Sequence, residues 1–134
     1  MKRLSISCVI FYYFLQANLC YADPIITFEK TFGGSKDDEG LSVVQIIDGG
    51  YIICSGIRVS IVGPSRENIY LIKTDKHGNK LWEKTFGGKY GDKGYSVNQT
   101  DDGGYIICGV TESFGSGGSD VYLIKTDSQG NVAE

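Results

Sequence analysis

Apolar residues in this chain come in short runs separated by Gly, Asp and Asn, and no stretch places them at a helical period. Residues 41–47 and 95–100 read as a first strand, with Gln45 and Gln99 on the same face as Val43 and Val97. Each runs into a tight corner, Asp48-Gly49-Gly50 and Asp102-Gly103-Gly104, whose glycines accept the positive φ that a hairpin demands. Tyr-Ile-Ile-Cys follows both corners. Residues 51–57 and 105–111 are therefore second strands, and their lack of polar alternation predicts burial on both faces. Third strands are expected at 69–74 and 121–126, and the turn Asp75-Lys76-His77-Gly78-Asn79 leads into a fourth at 80–86. The chain is predicted to be all-β.

These elements belong to one module written twice. Glu29-Lys30-Thr31-Phe32-Gly33-Gly34 returns unchanged as Glu83-Lys84-Thr85-Phe86-Gly87-Gly88, and residues 28–54 match 82–108 at 18 of 27 positions. Tyr70-Leu71-Ile72-Lys73-Thr74-Asp75 returns at 122–127, and Gly78-Asn79 at 130–131. A period of fifty-odd residues is the mark of a repeat architecture. Residues 23–80 are read as a first repeat and 81–134 as a second, with variable loops at 60–67 and 113–119. Residues 24–32 match the strand at 81–86, Phe28 standing in the place of Trp82, so the first repeat carries a spare N-terminal outer strand. Glu134 falls on the Trp82 position of the second copy.

Asp-Gly-Gly-Tyr-Ile-Ile, Tyr-Leu-Ile-Lys-Thr-Asp-x-x-Gly-Asn and Leu-Trp-Glu-Lys-Thr-Phe-Gly-Gly together resemble the short β-propeller-type repeats of exported bacterial and archaeal proteins. Asp75-x-x-Gly78 followed by Trp82 is also similar to the tryptophan-docking repeat of quinoprotein propellers. The resemblance covers nearly all of residues 28–131. It implies two four-stranded antiparallel propeller-like blades, an incomplete, open β-propeller, because closed rings use roughly four to eight blades. Blades bury their large apolar residues only against neighbours. Head-to-tail self-association is therefore expected, with residues 24–32 of one copy added beside residues 122–126 of another; a truncated or split gene product is the alternative. The implied function is that of an exported, non-catalytic module for binding or scaffolding, contacting an unspecified protein or glycan through the loops at 57–68 and 110–120. A fragment of a quinoprotein-like, PQQ-dependent dehydrogenase is the alternative, and it would need a ring of blades, a calcium ion and a catalytic Asp.

Composition narrows the field. The 134 residues include 19 Gly and only 2 Pro, and the glycines follow no Gly-X-Y period, which excludes collagen. A formal charge of −3 argues against a nucleic-acid partner. Lys2 and Arg3 precede nineteen uncharged residues, and the apolar run at 8–15 is too short for a membrane span. Residues 1–22 read as a signal peptide cleaved between Ala22 and Asp23, with a retained anchor or a lipid anchor as alternatives. The expected location is the periplasm, the cell surface or the extracellular space. Cleavage removes two of the four Cys and shifts the charge to −5.

Candidate chemistry is sparse, and no catalytic or cofactor-binding set stands out. Cys54 and Cys108 fall at equivalent places in adjacent repeats, too far apart for a disulfide, and are read as packing residues. Gln45 and Gln99 need hydrogen bonds on an apolar face, which nearby backbone supplies. Trp82 and Phe28 are read as aromatic plugs between blades. His77, the only His, lies in a polar turn with no carboxylate or second His beside it. Asp37-Asp38-Glu39 and Asp101-Asp102 are the only carboxylate clusters; neither has calcium-loop spacing, so calcium is the sole metal considered and solvated loops the main reading. The Gly-Ser-Gly-Gly-Ser loop at 115–119 lacks the Lys of a phosphate cradle. Asn98-Gln99-Thr100 is a glycosylation sequon placed in a strand, a poor acceptor position.

Overall fold

The computed structural model describes residues 25–59 and 66–132. The signal-peptide reading of residues 1–22, the Ala22/Asp23 boundary, most of the first variable loop and Glu134 lie outside the described residues. The described residues form seven strands: β1 (Asp38–Gln45), β2 (Tyr51–Val59), β3 (Arg66–Thr74), β4 (Lys80–Phe86), β5 (Asp92–Gln99), β6 (Tyr105–Thr111) and β7 (Asp120–Thr126). They form two antiparallel sheets, a first in the order β1-β2-β3-β4 and a second in the order β5-β6-β7, and the two do not close on each other.

The hairpin corners follow from their glycines. Gly49 and Gly103 take φ of 82° and 80°, and their N–H groups donate to Ile46 O and Thr100 O, each at 2.8 Å. The second glycine serves a different need, since a Cβ on Gly50 would strike the Thr74 carbonyl. β1 and β5 begin three residues earlier than the sequence reading places them, because Gly40 and Gly94 do not end the strand. Each begins a β-bulge, between Gly40 and Ser42 and between Gly94 and Ser96, through which pairing continues. The β2–β3 hairpin is likewise longer than expected and closes at Val59 opposite Arg66.

Cross-strand partners share a face, so the register assigns every side chain. Val44, Ile52, Cys54, Leu71, Ile69, Trp82 and Phe86 line the face of the first sheet that meets the second. Val97, Tyr105, Ile107, Ile124 and Tyr122 answer from the second sheet, and together these residues form the core. The second sheet packs through one face only. This corrects the expectation that both second strands are buried on both faces: Ile107 is fully buried, but Cys108 beside it is exposed.

Two further expectations change. Among the described residues the second sheet has three strands where four were expected; the counterpart of β4 would begin at residue 132. Residues 25–32 form no strand: β4 pairs with the third strand of the module before it, and by the same pattern residues 25–32 have no partner strand among the described residues. β4, counted by the repeat boundary at 80/81 with the second module, hydrogen-bonds to β3 of the first sheet while its Trp82 packs on the second.

Candidate functional site

The most ordered polar geometry in the molecule lies in two copies of one turn. Asp75 Oδ1 accepts the N–H groups of His77 and Asn79, both at 2.8 Å, and Oδ2 accepts Asn79 Nδ2 at 2.9 Å. Asp127 repeats the pattern with the N–H groups of Gln129 and Asn131 at 2.8 Å and Asn131 Nδ2 at 3.1 Å. Hydrogen bonds from the Asn79 side chain and backbone hold the Asp75 carboxyl below its ordinary range. Those from the Asn131 backbone and side chain do the same for Asp127. The glycine in each turn, Gly78 or Gly130, has φ of 75° or 77°, closing the loop flat enough for a ring to rest on it.

Trp82 rests on the Gly130 turn and meets Tyr105 edge-on, with ring centroids 5.8 Å apart and planes at 63°. Phe28 rests on the Gly78 turn and meets Tyr51 at 5.6 Å and 68°. Lysines complete the two settings: Lys84 Nζ donates to Asn131 Oδ1 at 3.0 Å, and Lys30 Nζ to Asn79 Oδ1 at 3.2 Å. Trp82 therefore docks on the turn of the following module, not on the Asp75 turn that precedes it. Phe28 occupies that earlier turn although its own segment has no sheet.

The hairpin corners carry a second repeated device. Asp48 accepts Gly50 N at 2.9 Å and Lys73 Nζ at 2.7 Å; Asp102 accepts Gly104 N at 3.0 Å and Lys125 Nζ at 2.7 Å. Their lysine partners foremost hold both carboxyls low, and Asp48 in return raises Lys73. Gln45 Nε2 donates to Gly49 O at 3.2 Å and Gln99 Nε2 to Gly103 O at 3.5 Å. Gln99 also reaches across the junction, its Oε1 accepting Ile47 N at 2.9 Å. On β3 and β4, Tyr70 OH donates to Glu83; burial first and Glu83 second raise the phenol, and Lys80 foremost lowers Glu83.

The acidic cluster at 37–39 is spent on structure. Asp38 Oδ2 accepts Gly34 N at 2.6 Å, closing the Gly33-Gly34 loop, and Asp92 Oδ2 accepts Gly88 N at 2.8 Å, closing Gly87-Gly88. Asp92 is buried and also accepts Ser113 Oγ at 2.7 Å and the Thr111 hydroxyl. Asp37 pairs with Arg58 at 3.1 Å. Glu39 pairs across the junction with Lys93 at 2.8 Å, and Glu67 joins the same Lys93 at 3.3 Å. Sequence reasoning missed these clamps, although Gly-Gly followed by Asp four residues beyond the second Gly stands in both copies.

Cys54 is buried between the sheets, and loss of solvent pushes its thiol up to about 11. Cys108, read from sequence as packed, is exposed because nothing covers its face of β6. His77 is exposed in its turn. A groove of about 450 Å³ runs between residues 28–32 and β1 on the outer face of the first sheet, with Phe28, Phe32, Leu41, Val43 and Ile53 on its walls. Among the described residues no three His, Cys, Asp or Glu gather as a metal site, and no helix is long and apolar enough to cross a membrane. No family model, curated protein or solved structure matches the chain.

Proposed function

We propose that the chain is an exported, non-catalytic repeat module of β-propeller type that binds or scaffolds. The observation that carries this reading is the twofold recurrence of ring-on-turn docking, Trp82 on Gly130 and Phe28 on Gly78, which spends the aromatic and acidic residues on stacking sheets. Contacts with a protein or glycan then fall to the loops that differ between copies. The 110–120 loop supports this, since Phe114 is half exposed within an otherwise polar, Gly-rich stretch. A quinone cofactor with calcium does not fit the residues present: Asp38, Asp92 and Asp102 are occupied by backbone amides, hydroxyls or lysine, and the ring of Trp82 is held on a turn.

Two measurements test this reading. Replacing residues 114–118 with a Gly-Ser segment of equal length, which keeps Ser113 and its bond to Asp92, is expected to abolish retention on purified cell-envelope glycans or proteins while keeping the wild-type circular dichroism. Titration with pyrroloquinoline quinone and calcium is expected to leave the cofactor spectrum unmoved; a saturable spectral shift with turnover of an alcohol would overturn the non-catalytic reading.

A further inference from the structure

We infer that the two outer faces of the molecule are the two halves of a second junction, and that the occupant of each is another copy of this chain stacked head to tail. The inference rests on the repeat-module reading and extends it by naming a partner.

The junction inside the molecule is the template. Ile69 and Leu71 are fully buried where the first sheet meets the second, whereas their counterparts on the outer face of the second sheet, Val121 and Leu123, are 80% and 65% exposed. Cys54 is buried and its counterpart Cys108 exposed. On the receiving side, Val97 is 1% exposed and its counterpart Val43, on the outer face of the first sheet, 61%. Val121, Leu123, Cys108 and Val43 are thus each the copy of a residue that the inner junction covers. The same side chains that fill the inner junction stand uncovered opposite the groove at Val43 and Phe28.

Three details fit a second copy better than any unrelated apolar partner. Cys54 Sγ occupies the place where a Cβ on Gly94 would stand, 2.5 Å away, while the equivalent Gly40 has nothing within 4 Å, leaving room for Cys108 of a neighbour. Residues 28–32 already hold, on their own chain, the contacts that β4 makes across the inner junction, and they lack only a strand to pair with. β7 is such a strand: it pairs with β6 and, among the described residues, has no other neighbour. Transferring the β3–β4 register places Phe32 opposite Val121, Lys30 opposite Leu123 and Phe28 opposite Lys125 of the neighbouring copy. Charge agrees as well. Glu39 and Lys93 occupy equivalent positions, so the inner junction joins Glu39 to Lys93 and an outer junction joins Lys93 to Glu39 of the next copy. A head-to-tail contact closes into a ring or extends as a chain according to the rotation between units, and both use this surface.

Cys108 reports the contact. Purified full-length chain is sedimented over a range of concentrations, and thiol labelling is read residue by residue by mass spectrometry. The expected result is species of higher mass than the single chain, with labelling of Cys108 slowed about tenfold or more as they form. Gly40→Leu has free space within its own chain. It is expected to keep the wild-type circular dichroism, remain a single chain and label at Cys108 without delay. A wild-type chain that stays monomeric with Cys108 open, or assemblies that persist in Gly40→Leu, would overturn the inference. Failure of the binding reading is seen separately, in the loop replacement and the cofactor titration, neither of which alters Cys108 labelling.

Discussion

Replacing Gly130 with Ala separates the two costs that this turn avoids. At φ of 77° an L-residue pays about 1–2 kcal/mol for the left-handed conformation alone. The new Cβ would also lie 3.0 Å from Trp82 Cη2 and Cζ3 and 2.9 Å from Lys84 Cγ, closer than the indole tolerates. Moving the ring loosens its edge contact with Tyr105, a pair worth about 0.5–1.5 kcal/mol beyond its buried area. The sum is a loss of about 2–3 kcal/mol, and at roughly 4–8 °C per kcal/mol a fall in Tm on the order of 10–20 °C. Equilibrium urea unfolding followed by far-ultraviolet circular dichroism, at one fixed protein concentration, measures it. In a Trp82→Ala background only the conformational part remains, so the double-mutant cycle is expected to return a coupling of about 1 kcal/mol. Gly78→Ala gives the internal contrast: its Cβ would meet Phe28 at 2.6 Å, but Phe28 is 44% exposed and its segment belongs to no sheet, so the ring is expected to yield and the cost to stay near the conformational part. Additive effects of Gly130→Ala and Trp82→Ala, within about 0.3 kcal/mol, would refute the docking of Trp82 on this turn.

Two more predictions concern the carboxylates. Asp92→Ala strands the Gly88 amide and the buried Thr111 hydroxyl, leaves the Ser113 hydroxyl only the Tyr90 carbonyl, and is expected to cost about 2–3 kcal/mol. Asp38→Ala, at the half-exposed equivalent site, is expected to cost under about 1 kcal/mol; denaturation midpoints that reverse this order contradict the assignment. Asp48, Asp75, Asp102, Asp127 and Glu83 all titrate below their ordinary values in the folded chain. Their stabilisation is complete above the unfolded carboxylate range, near pH 4–5, and is lost as pH falls through the depressed folded values. Melting curves at stepwise lower pH are expected to show Tm falling steeply below about pH 4; a flat profile there excludes the contribution.

Much of the fold was legible because strand length, turn chemistry and duplication agree. β4 was placed to the residue, and the hairpin corners were placed from Asp-Gly-Gly alone. Strand starts at β1 and β5 were misplaced because a bulge glycine and a turn glycine are the same letter, and only the neighbour decides: at Gly94 the neighbour is Cys54 Sγ. The identity of Cys54 and Cys108 concealed their opposite exposure, because burial depends on which sheet face is covered and not on local sequence. The sequence did not say on which turn Trp82 rests. Sequence distance favours its own Asp75 turn, but β4 pairs with β3 through the backbone and turns the indole toward the next sheet. Asp38 was read with its neighbours as part of a solvated loop, because its role as an acceptor for Gly34 shows only in the recurrence of Gly-Gly and Asp at a fixed offset in both copies.

β4 has a mechanical consequence. Its backbone belongs to one sheet and its largest side chain to the other, so the unit that was duplicated in sequence is out of phase by one strand with the unit that packs. Neither side is whole when the chain is divided between residues 80 and 81: the first sheet loses its edge strand, and the second keeps Trp82 only on a strand stripped of its β3 partner. The connection between the sheets is for this reason a shared wall and not a hinge. The two repeats are therefore expected to unfold in a single transition, seen as coincident denaturation curves from far-ultraviolet circular dichroism and Trp82 fluorescence.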